Sequence, residues 1–138
     1  MRLMTSLAPI APRAMLATML AAVLAAPLAA REQDPEAELA KMLAGRTAGP
    51  PSECIPLSPT QSSTTIERTG IVYRRGTTLY LSRFQDGCPE LDSMRILVIR
   101  STTSQICRGD IADVRTQSPS MFVGSCTFGP FVPYAKAK

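Results

Sequence analysis

Ile71-Val72-Tyr73-Arg74-Arg75-Gly76-Thr77-Thr78-Leu79-Tyr80-Leu81-Ser82-Arg83 decides the fold. Apolar and polar residues alternate on both sides of Arg75-Gly76, the signature of two strands joined by a tight turn. Tyr73 and Tyr80 fall where they can meet across such a hairpin. Upstream, Thr64 to Arg74 is expected as one strand with a bulge at Gly70, and Thr77 to Phe84 as its return. Downstream, Asp86-Gly87-Cys88-Pro89 is a turn. Met94 to Ser101 (MRILVIRS) is the most apolar stretch beyond the N-terminal thirty residues and is short enough for a central strand. Ile106 to Ile111 reads as a short strand and turn, Ile111 to Thr116 as a strand and Gln117 to Ser120 as a loop. One or two short strands follow over Met121 to Phe131, broken by Gly124, Gly129, Pro130 and Pro133, and the tail from Tyr134 frays.

These strands predict an α+β, β-dominated fold: a small twisted antiparallel sheet curled into a sandwich or partial barrel, since a flat sheet would leave one apolar face wet. The expected core is Ile71, Tyr73, Leu79, Leu81, Ile96, Val98, Ile111, Val114, Phe122 and Phe128. One short helix precedes the sheet. Asp34 is its N-cap, Pro35 its first residue, Glu36 and Glu38 lie near its positive end and Gly45 stops it. Leu39, Met42 and Leu43 share one face, which docks on the domain that follows. Residues 31–53 are therefore a helix and Pro-rich linker, and residues 54–138 the β domain.

Residues 1–30 carry Arg2 and Arg13, no acid, an apolar run and a closing cluster of small residues, the order of a cleaved signal peptide with the cut after Ala30. Pro27 and the alanine-rich composition argue against a retained anchor. The expected location is periplasmic or secreted in a Gram-negative bacterium, with no membrane span once the leader is removed. The remaining 108 residues carry a net charge of +2, with five acids against three bases over 31–53 and ten bases against six acids over 54–138. No basic stripe or aromatic platform points to nucleic acid.

Cys54, Cys88, Cys107 and Cys126 all lie in the exported part, and an even count in a small exported domain reads as two disulfides. The nearest neighbours are 19 residues apart, unlike the close pairs of zinc knuckles, so no metal site is expected. Cys88 with Cys107 and Cys54 with Cys126 is the favoured pairing, one clamping central strands and the other tying the ends; the other two connectivities stay open.

The chain has no His and no Trp. Histidine-based triads and imidazole proton shuttles are excluded, no Cys-x-x-Cys supports redox exchange, and the acids fall short of a calcium loop. Arg108-Gly109-Asp110 spells an adhesion tripeptide and forms a candidate binding loop, although Gly and Asp there serve a turn equally well. Glu90 with Asp92, or Asp110 with Asp113, are candidate carboxylate pairs for acid-base work, but acids beside Gly and Pro ordinarily belong to solvated turns. Catalytic residues, cofactor and metal are therefore expected to be absent.

Cys54-Ile55, the 71–83 hairpin, Cys88-Pro89-Glu90-Leu91, Ser104 to Ile111, Cys126-Thr127-Phe128 and Phe131-Val132-Pro133-Tyr134, in that order, make residues 54–134 resemble small secreted four-cysteine proteins of sphingomonads and other proteobacteria. That resemblance implies a cystine-held, β-rich exported domain and brings no activity. The function expected is a non-enzymatic exported domain that binds or supports an envelope component, an envelope protein or an anionic glycan or lipid. Its contact surface is expected on the loops beside the cystines and on an exposed sheet edge, with Arg74, Arg75, Arg83, Arg95, Arg100 and Arg108 attracting acidic partners. An inhibitor of an envelope or foreign hydrolase is the alternative, and a glycan- or ester-cleaving enzyme ranks third.

Overall fold

The computed structural model describes residues 34–58 and 62–137. The leader expected over residues 1–30 lies outside them. Among the described residues one helix, α1 (Pro35–Leu43), precedes nine strands: β1 (Arg46–Ala48), β2 (Cys54–Pro56), β3 (Ser62–Ile66), β4 (Gly70–Arg75), β5 (Thr78–Phe84), β6 (Arg95–Ile99), β7 (Gln105–Cys107), β8 (Ile111–Thr116) and β9 (Phe122–Lys136). Seven strands form one antiparallel sheet in the order β3-β4-β5-β9-β8-β6, with β1 added to β9. The sheet curls into a half-barrel, and β2 and β7 form a separate two-stranded ribbon.

The hairpin forms where its alternation placed it. β4 pairs with β5 through the Arg75–Thr78 turn, and Tyr73 stands opposite Tyr80. Thr64 to Arg74 is not one bulged strand: β3 ends at Ile66, turns, and pairs back on β4 with Ile66 opposite Gly70. Gly70 is there for close approach, since a Cβ would run into the Ser82 carbonyl of β5. A Cβ on Gly129 would meet the Arg83 carbonyl in the same way, where β5 and β9 slip register between Ser82 and Phe84.

That slip lets β9 run unbroken for 15 residues. Pro130 falls in the irregular step, where no ladder N–H is required. The tail does not fray, because Tyr134 pairs with Leu79 of β5 and residues 134–136 pair with β1. The segment expected as a linker thus contributes a strand: Arg46 stands opposite Lys136, and Ser52 bridges to Phe131.

Two apolar clusters sit on opposite faces of the sheet. On one, α1 docks Leu39 with Ile66, Val72, Leu79 and Leu81, flanked by Met42 and Leu43. Asp34 caps this helix, its Oδ1 accepting from the Glu36 N–H at 3.0 Å. On the other, Ile71, Tyr73, Phe84, Val114, Phe128 and Phe131 pack with Ile55 and Ile106, which the β2–β7 ribbon supplies. Burial on both faces explains why β4 is buried over four consecutive residues.

Four expected core positions are wrong. Ile96, Ile111 and Phe122 are exposed and Val98 is only half-buried. Leu97 and Ile99 of β6 and Ala112 and Val114 of β8 point inward, so the period-2 alternation turns Ile96, Val98 and Ile111 outward. Phe122 stands opposite Arg115, another outward residue. The Met94–Ser101 segment is likewise an edge strand rather than a central one, because β8 spends its other side on β9.

The favoured disulfide pairing is also overturned. Cys54 bonds Cys107, and Cys88 bonds Cys126. Cys107 belongs to the strand that pairs with the Cys54 segment, so those two residues face each other across the ribbon. Cys88, in the turn after β5, is left beside β9.

Candidate functional site

Each candidate loop of the sequence has a structural occupation. Gly109 takes φ 89° in the turn after β7, and its N–H donates to the Phe128 carbonyl at 2.9 Å. The Asp110 carboxylate accepts from the Cys107 N–H at 2.8 Å, and its carbonyl accepts from the Phe128 N–H at 2.9 Å. Arg108 donates its N–H to the Glu53 carbonyl at 2.7 Å and sets its guanidinium 3.7 Å from the Glu53 carboxylate. The tripeptide anchors the ribbon to β9.

The carboxylate pairs do not converge. Asp113 sits on the outward face of β8, 3.2 Å from Arg115 and 3.6 Å from Arg100, whereas Asp110 is bound to backbone. Glu90 and Asp92 fall in a turn rather than on a strand. Asp92 caps the Met94 N–H at 2.8 Å and lies 3.5 Å from Arg95. A surface cleft of about 360 Å³ runs between Asp92–Arg95 and Thr116–Ser118, and the carboxylate in its wall is this already engaged Asp92. Among the described residues no three His, Cys, Asp or Glu side chains come together.

Ion pairing sorts the arginines into two groups. Arg83 grips Glu36 with both guanidinium nitrogens, at 2.5 and 2.7 Å, and this hydrogen bonding holds the Glu36 carboxyl below the usual carboxylate range. Arg95, Arg100 and Arg108 lie beside Asp92, Asp113 and Glu53. Four of the six arginines expected to attract acidic partners are thus locally compensated.

Arg74 and Arg75 have no carboxylate partner among the described residues, and the fold adds two more cations to them. β4 carries Arg74 and Arg75 to the hairpin tip, opposite Leu79 and Thr78. β1 and the end of β9 bring Arg46 and Lys136 together as direct partners. Arg46 Nη1 donates to the Thr77 carbonyl at 2.7 Å and the Tyr134 carbonyl at 3.2 Å, which ties the tip of the hairpin to the end of β9. Arg75 lies over the Tyr80 ring at 5.7 Å, and its Nε has no acceptor among the described residues. The three segments that meet here, 44–52, 68–85 and 127–137, contain no Asp or Glu. This end of the sheet therefore gathers four cations on segments without an acid, and the contacts of Arg46 and Arg75 partly preorganise it.

Sequence reasoning found Arg74 and Arg75 and missed Arg46 and Lys136. The available signal was the absence of acids from those segments; what joins them is the β1–β9 pairing, which no local pattern announces. Comparison with protein-family models, with curated proteins and with solved structures finds no match to this chain.

Proposed function

We propose that this protein is an exported, non-enzymatic domain that docks on an anionic component of the cell envelope through Arg46, Arg74, Arg75 and Lys136. The observation that carries this reading is the uncompensated cationic end of the sheet, set against arginines elsewhere that face carboxylates. Cations gathered at one end of a sheet with no carboxylate on the strands that carry them favour a counter-charge from outside. The ligand chemistry is phosphate or carboxylate on a glycan or lipid headgroup. Each cation near such a surface contributes about 1 kcal/mol, screened within a Debye length of about 8–10 Å at physiological salt.

Two disulfides are compatible with a periplasmic or extracellular setting. Among the described residues no helix is long and apolar enough to cross a membrane. An export leader over residues 1–30 and the likeness to secreted four-cysteine proteins belong to the same proposal. Cosedimentation with phosphatidylglycerol vesicles, with phosphatidylcholine vesicles and with an immobilised acidic polysaccharide tests it. Binding to at least one anionic probe and none to the zwitterionic vesicles is expected; equal binding to all three, or to none, overturns it.

A further inference from the structure

A second surface lies at the other end of β9, on the edge strand β6. The Thr116 N–H donates to the Met121 carbonyl at 3.0 Å, so Thr116 directs its backbone toward β9 and Arg115 and Asp113 direct theirs toward β6. The Arg95 N–H turns back to the Asp92 carbonyl at 3.2 Å, away from β8. Both observations fix the same alternation: Ile96 and Val98 bond to β8, while Leu97 and Ile99 present their N–H and C=O groups at the open edge. Among the described residues no backbone or side-chain hydrogen bond reaches that edge.

Edge strands are normally blunted by a proline, a bulge or a charge in the strand. Ile96-Leu97-Val98-Ile99 has none of these; the charge in β6 is Arg95 at its first position, and Arg100 follows its last. Met94, 75% exposed, and Ile96, 39% exposed, extend the apolar surface beside it.

We propose that β6 is the docking strand for a second copy of this chain, paired antiparallel about a two-fold axis at Leu97. In that register Leu97 exchanges both backbone bonds with the partner's Leu97, and each Ile99 N–H reaches the partner's Arg95 carbonyl. Ile96 stands opposite the partner's Val98, on the outward face.

The charges favour self-pairing. Arg95 falls opposite the partner's Ile99 and Arg100 opposite the partner's Met94, so no arginine faces an arginine. Arg100, whose side chain is 74% exposed, extends diagonally toward the partner's Asp92, and the axis repeats this contact at the other end. An isologous edge pairing of this kind closes on itself and leaves no further strand edge at β6.

Sedimentation equilibrium and amide exchange on the purified exported protein test the proposal. We expect a monomer–dimer equilibrium between about 1 and 100 μM, with the Leu97 and Ile99 amides exchanging about tenfold more slowly at the higher concentration. R100E sets an acid against the partner's Asp92 and should weaken dimerisation about tenfold or more, while D92K combined with R100E restores it. Unchanged melting of R100E confirms that its fold is intact. A monomer throughout that range, a dimer indifferent to R100E, or concentration-independent exchange at Leu97 and Ile99 overturns the proposal, as does protection of those amides only by a different protein's strand. Should D92K with R100E fail to fold, the exchange of the unmodified protein decides alone.

Discussion

Cys54 and Cys107 are direct cross-strand partners in the β2–β7 ribbon and are joined by a disulfide across it. The next pair along, Ile55 and Ile106, is fully buried in the core of the half-barrel. The bond therefore staples the ribbon that closes one face of the sheet. Non-reducing peptide mapping should recover 54–107 and 88–126 and no other pairing. Removing the first bond with Ser at both positions should cost about 2–4 kcal/mol, read from the denaturation midpoint, because a loop of 53 residues regains freedom in the unfolded chain.

Core and surface aromatics of β9 should separate cleanly. Phe128 is fully buried, 5.6 Å from Phe84 and 6.0 Å from Phe131 between ring centroids, and Phe128→Ala should cost about 3–5 kcal/mol. Phe122 is 60% exposed, and Phe122→Ala should stay within about 0.5 kcal/mol of the parent. Urea unfolding of the two variants measures both.

Tyr73 buries its hydroxyl without a hydrogen-bond partner among the described residues, and burial raises the pKa of its phenol above the ordinary tyrosine value. The folded state thus favours the neutral form. Stability is intact below the unfolded phenol's pKa of about 10 and falls as pH rises past it, since only the unfolded chain then releases the proton readily. Tyr73→Phe removes this dependence and should be neutral to about 1 kcal/mol stabilising at neutral pH. Midpoints measured on either side of about pH 10 should diverge between the two proteins.

Glu36 titrates in the opposite sense. Its hydrogen bonds to Arg83 lower its pKa in the folded state, so the contribution is present above the usual carboxylate range and disappears as pH falls through the folded value. Both side chains are about half exposed, which limits the pair to about 1 kcal/mol or less. Glu36→Gln should therefore flatten only slightly the acid limb of a melting profile, and NMR titration of the parent should place the Glu36 carboxyl below the exposed glutamates.

The hairpin, the capped helix and the β-dominated class were legible because each has a local signal: period-2 alternation around Arg75-Gly76, Asp34-Pro35 at a helix start, and a three-residue apolar stripe. β6 was misplaced because a continuous apolar run such as Ile96 to Ile99 carries no parity. Its facing, and its place at the edge, are decided by β8 and β9. Gly124, Gly129, Pro130 and Pro133 suggest breaks, yet β9 runs through them: the first three fall at or beside register shifts, and Pro133 keeps regular register opposite Tyr80 while its carbonyl accepts from the Gly49 N–H. The cystine pairing depends on which distant segments meet, and spacing along the chain does not encode that. The cationic end was half visible for the same reason: Arg74-Arg75 is a local pair, whereas Arg46 and Lys136 join it only through long-range strand pairing.

Salt-dependent binding to an anionic surface, compared between two doubly substituted proteins of equal net charge, tests the central claim most directly. Arg74→Ala with Arg75→Ala removes uncompensated cations, whereas Arg83→Ala with Arg108→Ala removes cations that already face Glu36 and Glu53. The first should lose about tenfold or more in affinity and much of its salt dependence, and the second should bind within about twofold of the parent. Equal losses in the two proteins would show that net charge rather than this end of the sheet governs binding, and would contradict the account.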